Sequence, residues 1–290
     1  MNIYSESELI LNPDGSIFHL RLFPEQVSDH VILVGDSGRV ALVGQFLENT
    51  ENLASNREFQ SITGNFNGTR ITVLSTGIGT DNIDIVVNEL DALVNIDLET
   101  RKDLPVRRRL NLVRIGTSGS LQEDIPAGTP VASAWSIGLD GVMNYYRRPQ
   151  DPERDRFERS LKESTGWPTN LPDPYGARAS GKLLKLVEPH YQSGITVAAH
   201  GFYGPQGRRL RAPLSVPGLN NRLQNFLFGS YRTTNFEMES SALYGLSEVL
   251  GHDALTVCLI IANRMTGNFT GDYHSAMEGL IHNMLNLITQ

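Results

Sequence analysis

Short apolar runs closed by glycine turns recur along this chain. Val31-Ile32-Leu33-Val34 is wholly apolar, the pattern of a strand buried on both faces, and it ends in Gly35-Asp36-Ser37-Gly38-Arg39. Leu42, Val43 and Phe46 then mark a helix face. Residues 58–66 and 70–74 alternate as paired strands around Asn67-Gly68, a hairpin signal. The second runs through Ser75-Thr76-Gly77-Ile78-Gly79 into a helix with Ile83, Val86, Val87, Leu90 and Leu93 on one side. Residues 110–120 read as a strand core (Leu112, Val113, Ile115) running into a glycine-rich turn at Gly116 and Gly119. Further strands are expected at 129–139, 195–200 and 254–262, and helices at 237–250 and 275–289. The proline-rich stretch 145–192 reads as excursions around the sheet with one or two helices. No internal repeat or linker interrupts the pattern. The alternation predicts one α/β domain over residues 1–290, with a largely parallel or mixed sheet.

Composition narrows the function classes. A formal net charge of -7 disfavours a nucleic-acid binder, which shows a basic stripe, but permits a small anionic substrate. Cys258 is the only cysteine and lies in an apolar run, so it reads as an inert buried thiol, with no disulfide framework or thiolate metal cluster. His30, His190, His252, His274 and His282 lack metal-ligand spacing. The N-terminal residues carry no signal-peptide pattern, and no apolar run approaches the ~20 residues of a membrane helix. The expectation is a soluble, cytoplasmic protein without a membrane partner.

The strand ends carry the candidate chemistry. Arg39, Thr76, Arg114 with Thr117, and Gln206 with Arg208 each follow a buried strand. Glu237 and Glu239 open a helix. Guanidinium forks beside hydroxyls and free backbone N–H groups suit an oxyanion such as phosphate. Arg107 to Arg109, Arg209 and Arg211 read as solvated.

Taken in order, Gly35-Asp36 with Arg39, Arg57-Glu58-Phe59, Ser75 to Gly79, Arg114-Ile115-Gly116-Thr117-Ser118-Gly119, Phe202-Tyr203 with Gln206-Gly207-Arg208, Phe236-Glu237-Met238-Glu239-Ser240 and Asn263-Arg264 resemble the uridine phosphorylases of the nucleoside phosphorylase superfamily. The resemblance implies an α/β/α sandwich around a mixed, distorted sheet. It also implies a pentosyltransferase that reversibly splits uridine with phosphate into uracil and ribose 1-phosphate, in pyrimidine nucleoside salvage and catabolism. By the same resemblance, Gly35, Arg39, Arg114 and Thr117 hold phosphate, with Arg57 reaching in from a partner subunit. His19, Thr117, Glu237, Met238 and Glu239 would bind ribose, His19 from across a dimer interface. Phe202, Gln206, Arg208 and Arg264 would bind the base, and Arg114, Arg208 and Glu239 would be the catalytic set. The implied assembly is a homo-oligomer, at least a dimer sharing its active sites.

The chain departs from the family pattern at Ser37, at Asn56 and at Thr80-Asp81-Asn82. Some members hold potassium through a Glu like Glu58, a carbonyl like that of Ile78 and a Ser where this chain has Asn82. With Asn82 there, the resemblance leaves a structural potassium ion open; no other metal and no cofactor is expected, phosphate being a co-substrate. Two alternatives share the fold. Purine nucleoside phosphorolysis usually has an Asp where this chain has Asn263, because purine N7 needs a proton donor. A nucleosidase would use water and would have no use for three strand-end arginines. A third alternative, of another class, is a non-catalytic nucleoside or phosphate-binding protein.

Overall fold

The computed structural model describes residues 3–290. Its first part contains β1 (His30–Val34), α1 (Ser37–Gly44), the meander β2 (Glu48–Asn56), β3 (Phe59–Phe66) and β4 (Thr69–Ser75), and α2 (Thr80–Asn95). A small separate hairpin, β5 (Ile96–Asp97) with β6 (Lys102–Asp103), precedes β7 (Asn111–Ser120) and β8 (Pro130–Gly138). Then come α3 (Pro152–Thr165), β9 (Tyr175–Arg178), α4 (Gly181–Val187) and β10 (Gln192–Ala198). The last part holds α5 (Leu219–Gln224), β11 (Leu227–Phe228), β12 (Tyr231–Glu237), α6 (Ser240–Leu250), β13 (Asp253–Asn263), β14 (Asn268–Phe269) and α7 (His274–Ile288).

β7 organises the sheet. On one side it pairs in parallel with β1, and β4, β3 and β2 extend that side as an open wing. On the other side β13, β8, β10 and β12 follow in turn. β12 then returns to β7, pairing Asn235 with Ser120 and Phe236 with Gly119. The circuit β7–β13–β8–β10–β12 is thus a closed barrel, and its pairings are both parallel and antiparallel. Helix α2 packs on α6, whereas α7 packs against α1 and α4. The result is the mixed α/β architecture that the element pattern predicts, and one hydrophobic cluster joins the wing to these helices. A second cluster closes the barrel under α3 and α5, with Trp135 stacked on Phe157 at 4.5 Å.

Several sequence expectations change. Residues 116–119 are not a turn: β7 continues through both glycines to Ser120. The stretch from Glu237 is not wholly helix, because Glu237 ends β12 and the helix begins at Ser240. β12 escapes an apolar-pattern search because Thr233, Thr234 and Asn235 are buried polar residues satisfied by neighbouring strands. Asn235, for example, donates to Ser118 Oγ and accepts from Thr196 Oγ1. β2 is also absent from the sequence reading. It is the outer strand of the wing and mostly exposed, so nothing enforces alternation along it. The stretch 145–192 contains α3 and α4, two helices as expected, plus β9. Arg108 and Arg109 are not merely solvated; they pair with Asp29 and Asp253.

Candidate active site

Arg114 stands at the centre of the site, beside Leu33 of β1 and Thr256 of β13. It is buried, and its guanidinium lies over Gly116, two residues further along the same strand face. A Cβ on Gly116 would collide with Arg114 Nη1 and stand 2.9 Å from Cys258 Sγ. Gly116 is therefore a seat for the arginine, not a hinge. Nη2 of Arg114 donates to Glu239 Oε2. Nη1 lies 3.3 Å from Glu237 Oε2 and donates to Cys258 Sγ over 3.5 Å. Burial pulls against the Arg114 charge, but Glu239, Cys258 and Glu237 together hold its pKa above the ordinary arginine value. The Cys258 thiol is pushed up to about 12, chiefly by burial, so it stays an inert thiol.

Both carboxylates are fixed by backbone donors. Glu237 accepts from Glu239 N at 2.9 Å, from Ser240 N at 3.0 Å and from Ser240 Oγ at 2.6 Å. Glu239 Oε1 accepts from Gly79 N at 2.8 Å. Gly79 has φ 102 and caps α2, a conformation that L side chains resist. Burial raises the Glu237 pKa to about 7; Arg114 opposes this and Glu239 adds to it.

A cleft of about 560 Å³ opens over this centre. At one end, Asp36 caps α1 by accepting from Arg39 N, and its carboxylate pairs with Arg39 Nη2 at 2.9 Å. At the other end, Gln206 closes the short helical turn Gly204–Gln206 and is buried. Its Oε1 accepts from Arg208 Nη1, whose guanidinium also lies 3.8 Å from the centroid of Phe202. Its backbone oxygen accepts from Asn220 Nδ2 at 2.9 Å and Arg264 Nη2 at 3.0 Å. Burial and then the nearby Arg264 lower the Arg208 pKa to about 10. Arg264 Nη1 is buried without a hydrogen-bond partner among the described residues.

Of the residues expected from sequence, Gly35, Arg39, Arg114, Thr117, Phe202, Gln206, Arg208, Glu237, Met238, Glu239 and Arg264 all line this one cleft. His19 and Arg57 do not. His19 pairs with Glu89, and Arg57 is exposed at the β2–β3 turn with φ 54. Thr76 is buried, and its hydroxyl donates to the backbone at Gly77. Arg209 and Arg211 are exposed and lie outside the cleft. Phe269 and the side chain of Ile78, large apolar groups exposed at the rim, were not among the expected cleft residues; their only signal is an apolar side chain within a polar loop.

Asn263 also lines the cleft, but its amide is spent on backbone. Nδ2 donates to Gln122 O and Ile125 O, and Oδ1 accepts from Met265 N and Thr266 N. At the potassium position of the resemblance, Asn82 Nδ2 donates to Ile78 O at 3.5 Å, so within this chain that carbonyl is engaged by an amide. Among the described residues no group of three or more His, Cys, Asp or Glu side chains is arranged to hold a metal ion. Nor is any helix there long and apolar enough to cross a membrane.

A basic end, a carboxylate-rich centre and an amide-guanidinium end in one cleft define a protein built for a small molecule with an anion, hydroxyls and a planar polar edge. The chain belongs to the phosphorylase superfamily, whose family model matches residues 29–287. It is 29% identical to the uridine phosphorylase of Thermococcus kodakarensis, over 88% of this chain and 80% of that one. The Haemophilus influenzae uridine phosphorylase is 31% identical over 86% and 87%. The purine nucleoside phosphorylase of Alkaliphilus metalliredigens is 29% identical over 87% and 90%. Among solved structures, a Trypanosoma brucei nucleoside phosphorylase described as showing uridine phosphorylase activity superposes with a TM-score of 0.85 at 29% identity, covering 96% of this chain and 98% of that one.

Two outcomes follow from this geometry. Gly116→Ala should displace Arg114 and lower kcat/KM by about 100-fold, the scale of losing one oriented electrostatic contact, while the protein stays folded by circular dichroism. An active Gly116→Ala enzyme would show that Arg114 needs no seat. The second outcome concerns pH. Because the folded pKa of Glu237 is raised from 4.5 to about 7, the native state binds the extra proton between those values, and its stability falls as pH rises through that window. Urea titrations at about pH 5 and pH 8 should show wild type losing on the order of 3 kcal/mol relative to Glu237→Gln. Parallel pH dependence in the two proteins would contradict this.

Proposed function

We propose that the protein catalyses the reversible phosphorolysis of uridine to uracil and ribose 1-phosphate. The observation that carries this reading is the order of groups along the cleft: Arg39, then Arg114 with Glu237 and Glu239, then Gln206, Arg208 and Arg264. Phosphate as a dianion meets guanidinium forks that fix its direction toward the anomeric carbon. Aligning the two reactants supplies roughly 7–11 kcal/mol of the barrier. As the glycosidic bond breaks, positive charge grows on ribose, and phosphate and the Glu239 carboxylate stabilise it; Glu239 also accepts from the 2′-hydroxyl. Negative charge grows on uracil, where Arg208 and Arg264 supply donors. With Gln206 Oε1 already taken by Arg208, the carboxamide N–H groups remain to read a uracil oxygen. Phe202 packs one face on the Arg208 guanidinium and offers its remaining surface to the base.

This reading needs neither cofactor nor metal ion, phosphate being a co-substrate. A purine reading is disfavoured because Asn263 spends its whole amide on backbone and offers no proton to N7. Hydrolysis is disfavoured because the strand-end arginines Arg39 and Arg114 equip the cleft for an anion, which attack by water would not require.

The charge balance of the cleft supports a shared site in a homo-oligomer. Arg39 is paired with Asp36, and Arg114 is set against two carboxylates, so one chain offers little net positive charge to a dianion. Arg57, exposed at the wing's turn, is the cation a second copy would add, and His19 would reach the sugar 5′ end by the same route. The setting we infer is the cytoplasm, in pyrimidine nucleoside salvage.

Uracil release from uridine should require phosphate, and inosine should be a poor substrate. Equal release without phosphate, or a preference for inosine, would overturn the assignment. Arg39→Ala should cost about 100-fold or more in kcat/KM, and Arg209→Ala almost nothing. Mixing exchanged Arg57→Ala and Arg39→Ala chains should restore about a quarter of the wild-type activity, since half of the random dimers carry one intact site of two. No recovery after subunit exchange would show that Arg57 does not act across the interface.

A further inference from the structure

His19 is held far more tightly than a surface histidine requires. Its Nδ1 lies 2.6 Å from Glu89 Oε1. Its backbone N–H contacts both Glu89 oxygens at 3.1 Å, and Leu20 N donates to Oε2 at 2.9 Å. Asn56 Nδ2 fixes the His19 carbonyl at 2.8 Å. The rings of Phe18 and Phe59 stand edge-on to the imidazole at 4.7 and 6.3 Å. Every one of these contacts leaves Nε2 alone; it bonds to none of the described residues, and the side chain is 25% exposed.

The chemistry of the pair determines what Nε2 can do. An ionised carboxylate only accepts, and Glu89 already receives two backbone N–H groups, so the proton between it and the ring resides on Nδ1. In the neutral ring Nε2 is then an acceptor. We propose that Glu89 is a positioning residue that fixes His19 in the Nδ1–H tautomer, so that His19 Nε2 selects nucleosides whose 5′ substituent donates a hydrogen bond. This rests on the phosphorolysis reading, in which His19 meets the sugar 5′ end in the cleft of a second copy. A 5′-hydroxyl satisfies Nε2, a 5′-ammonium does so through donors alone, and a 5′-fluorine offers no donor.

Glu89→Gln is the informative variant. Its amide oxygen keeps both backbone N–H groups, while its N–H₂ faces Nδ1 and drives the ring proton to Nε2. Nitrogen-15 spectra of histidine-labelled protein, taken on the high-pH plateau where the ring signals no longer move, should show a protonated Nδ1 in wild type and a protonated Nε2 in Glu89→Gln. The ratio of kcat/KM for 5′-amino-5′-deoxyuridine over 5′-deoxy-5′-fluorouridine should fall about tenfold or more in the variant, the scale of one such hydrogen bond. Wild-type His19 carrying its proton on Nε2 would overturn the tautomer assignment whatever the enzyme does with uridine, and that spectrum needs no variant. A switched tautomer with an unchanged ratio would overturn the 5′ selection. Failure of wild type to release uracil from uridine, with the Nδ1–H spectrum intact, would count against phosphorolysis and leave the tautomer assignment standing.

Discussion

The buried clasp of Arg114 between Glu237 and Glu239 is the interaction on which the rest of the molecule depends. It joins strand β7, the end of β12, the start of α6 and, through Gly79 N–H, the start of α2. Removing one member of such a cluster strands the others as uncompensated buried charge, at a cost of about 3–5 kcal/mol. The cluster is weak evidence for stability, since an apolar replacement is often no worse. Its effect is positional: it fixes where four elements meet, and the cleft lies over that point.

The double membership of β7 makes the meeting possible. As a wing strand it lies beside β1, whose end runs through Gly35 and Asp36 into the first turn of α1, which carries Arg39. As a barrel strand it lies beside β13 and β12, which bring Arg264 and the two glutamates. Residues more than 200 positions apart in sequence, such as Arg39 and Arg264, thereby line one cleft. A single extended sheet would have spread those strand ends along an edge; barrel closure folds the edge back on itself.

Much of this was legible in the chain. Apolar runs such as 31–34 and 255–262 are unambiguous because burial on both faces leaves no alternation to misread. Arg39, Arg114, Thr117, Gln206, Arg208, Glu237 and Glu239 were also legible from strand-end chemistry, whereas Gly35, Phe202, Met238 and Arg264 rested on the resemblance. Three kinds of feature were not. β12 is buried through polar residues, so its burial has no hydrophobic signature. Gly116 looks like a turn glycine because sequence shows its freedom of backbone and not the guanidinium that needs its missing Cβ. His19 and Arg57 lie away from the chain's own cleft, so a resemblance suggests them while local pattern does not. The Asn263 amide, legible as a contrast with an acid, turns out to be committed to holding the 264–266 backbone.

The cations of the cleft share one arrangement. Arg39 is held by Asp36, Arg114 by Glu239, and Arg208 by the Gln206 carbonyl. Each guanidinium is already desolvated and oriented by a neighbour within the chain, so an incoming anion or developing negative charge does not have to strip and reorient it. Such preorganisation lowers the ordering cost of binding and the reorganisation that accompanies charge movement. It also limits the net positive charge that any one chain presents, because Asp36 partly neutralises Arg39 and the two glutamates partly neutralise Arg114. A site built from held cations gains orientation at the expense of field strength, and the remaining field has to come from a charge that is not held. Arg57, exposed on its left-handed turn without an acidic partner among the described residues, has that character.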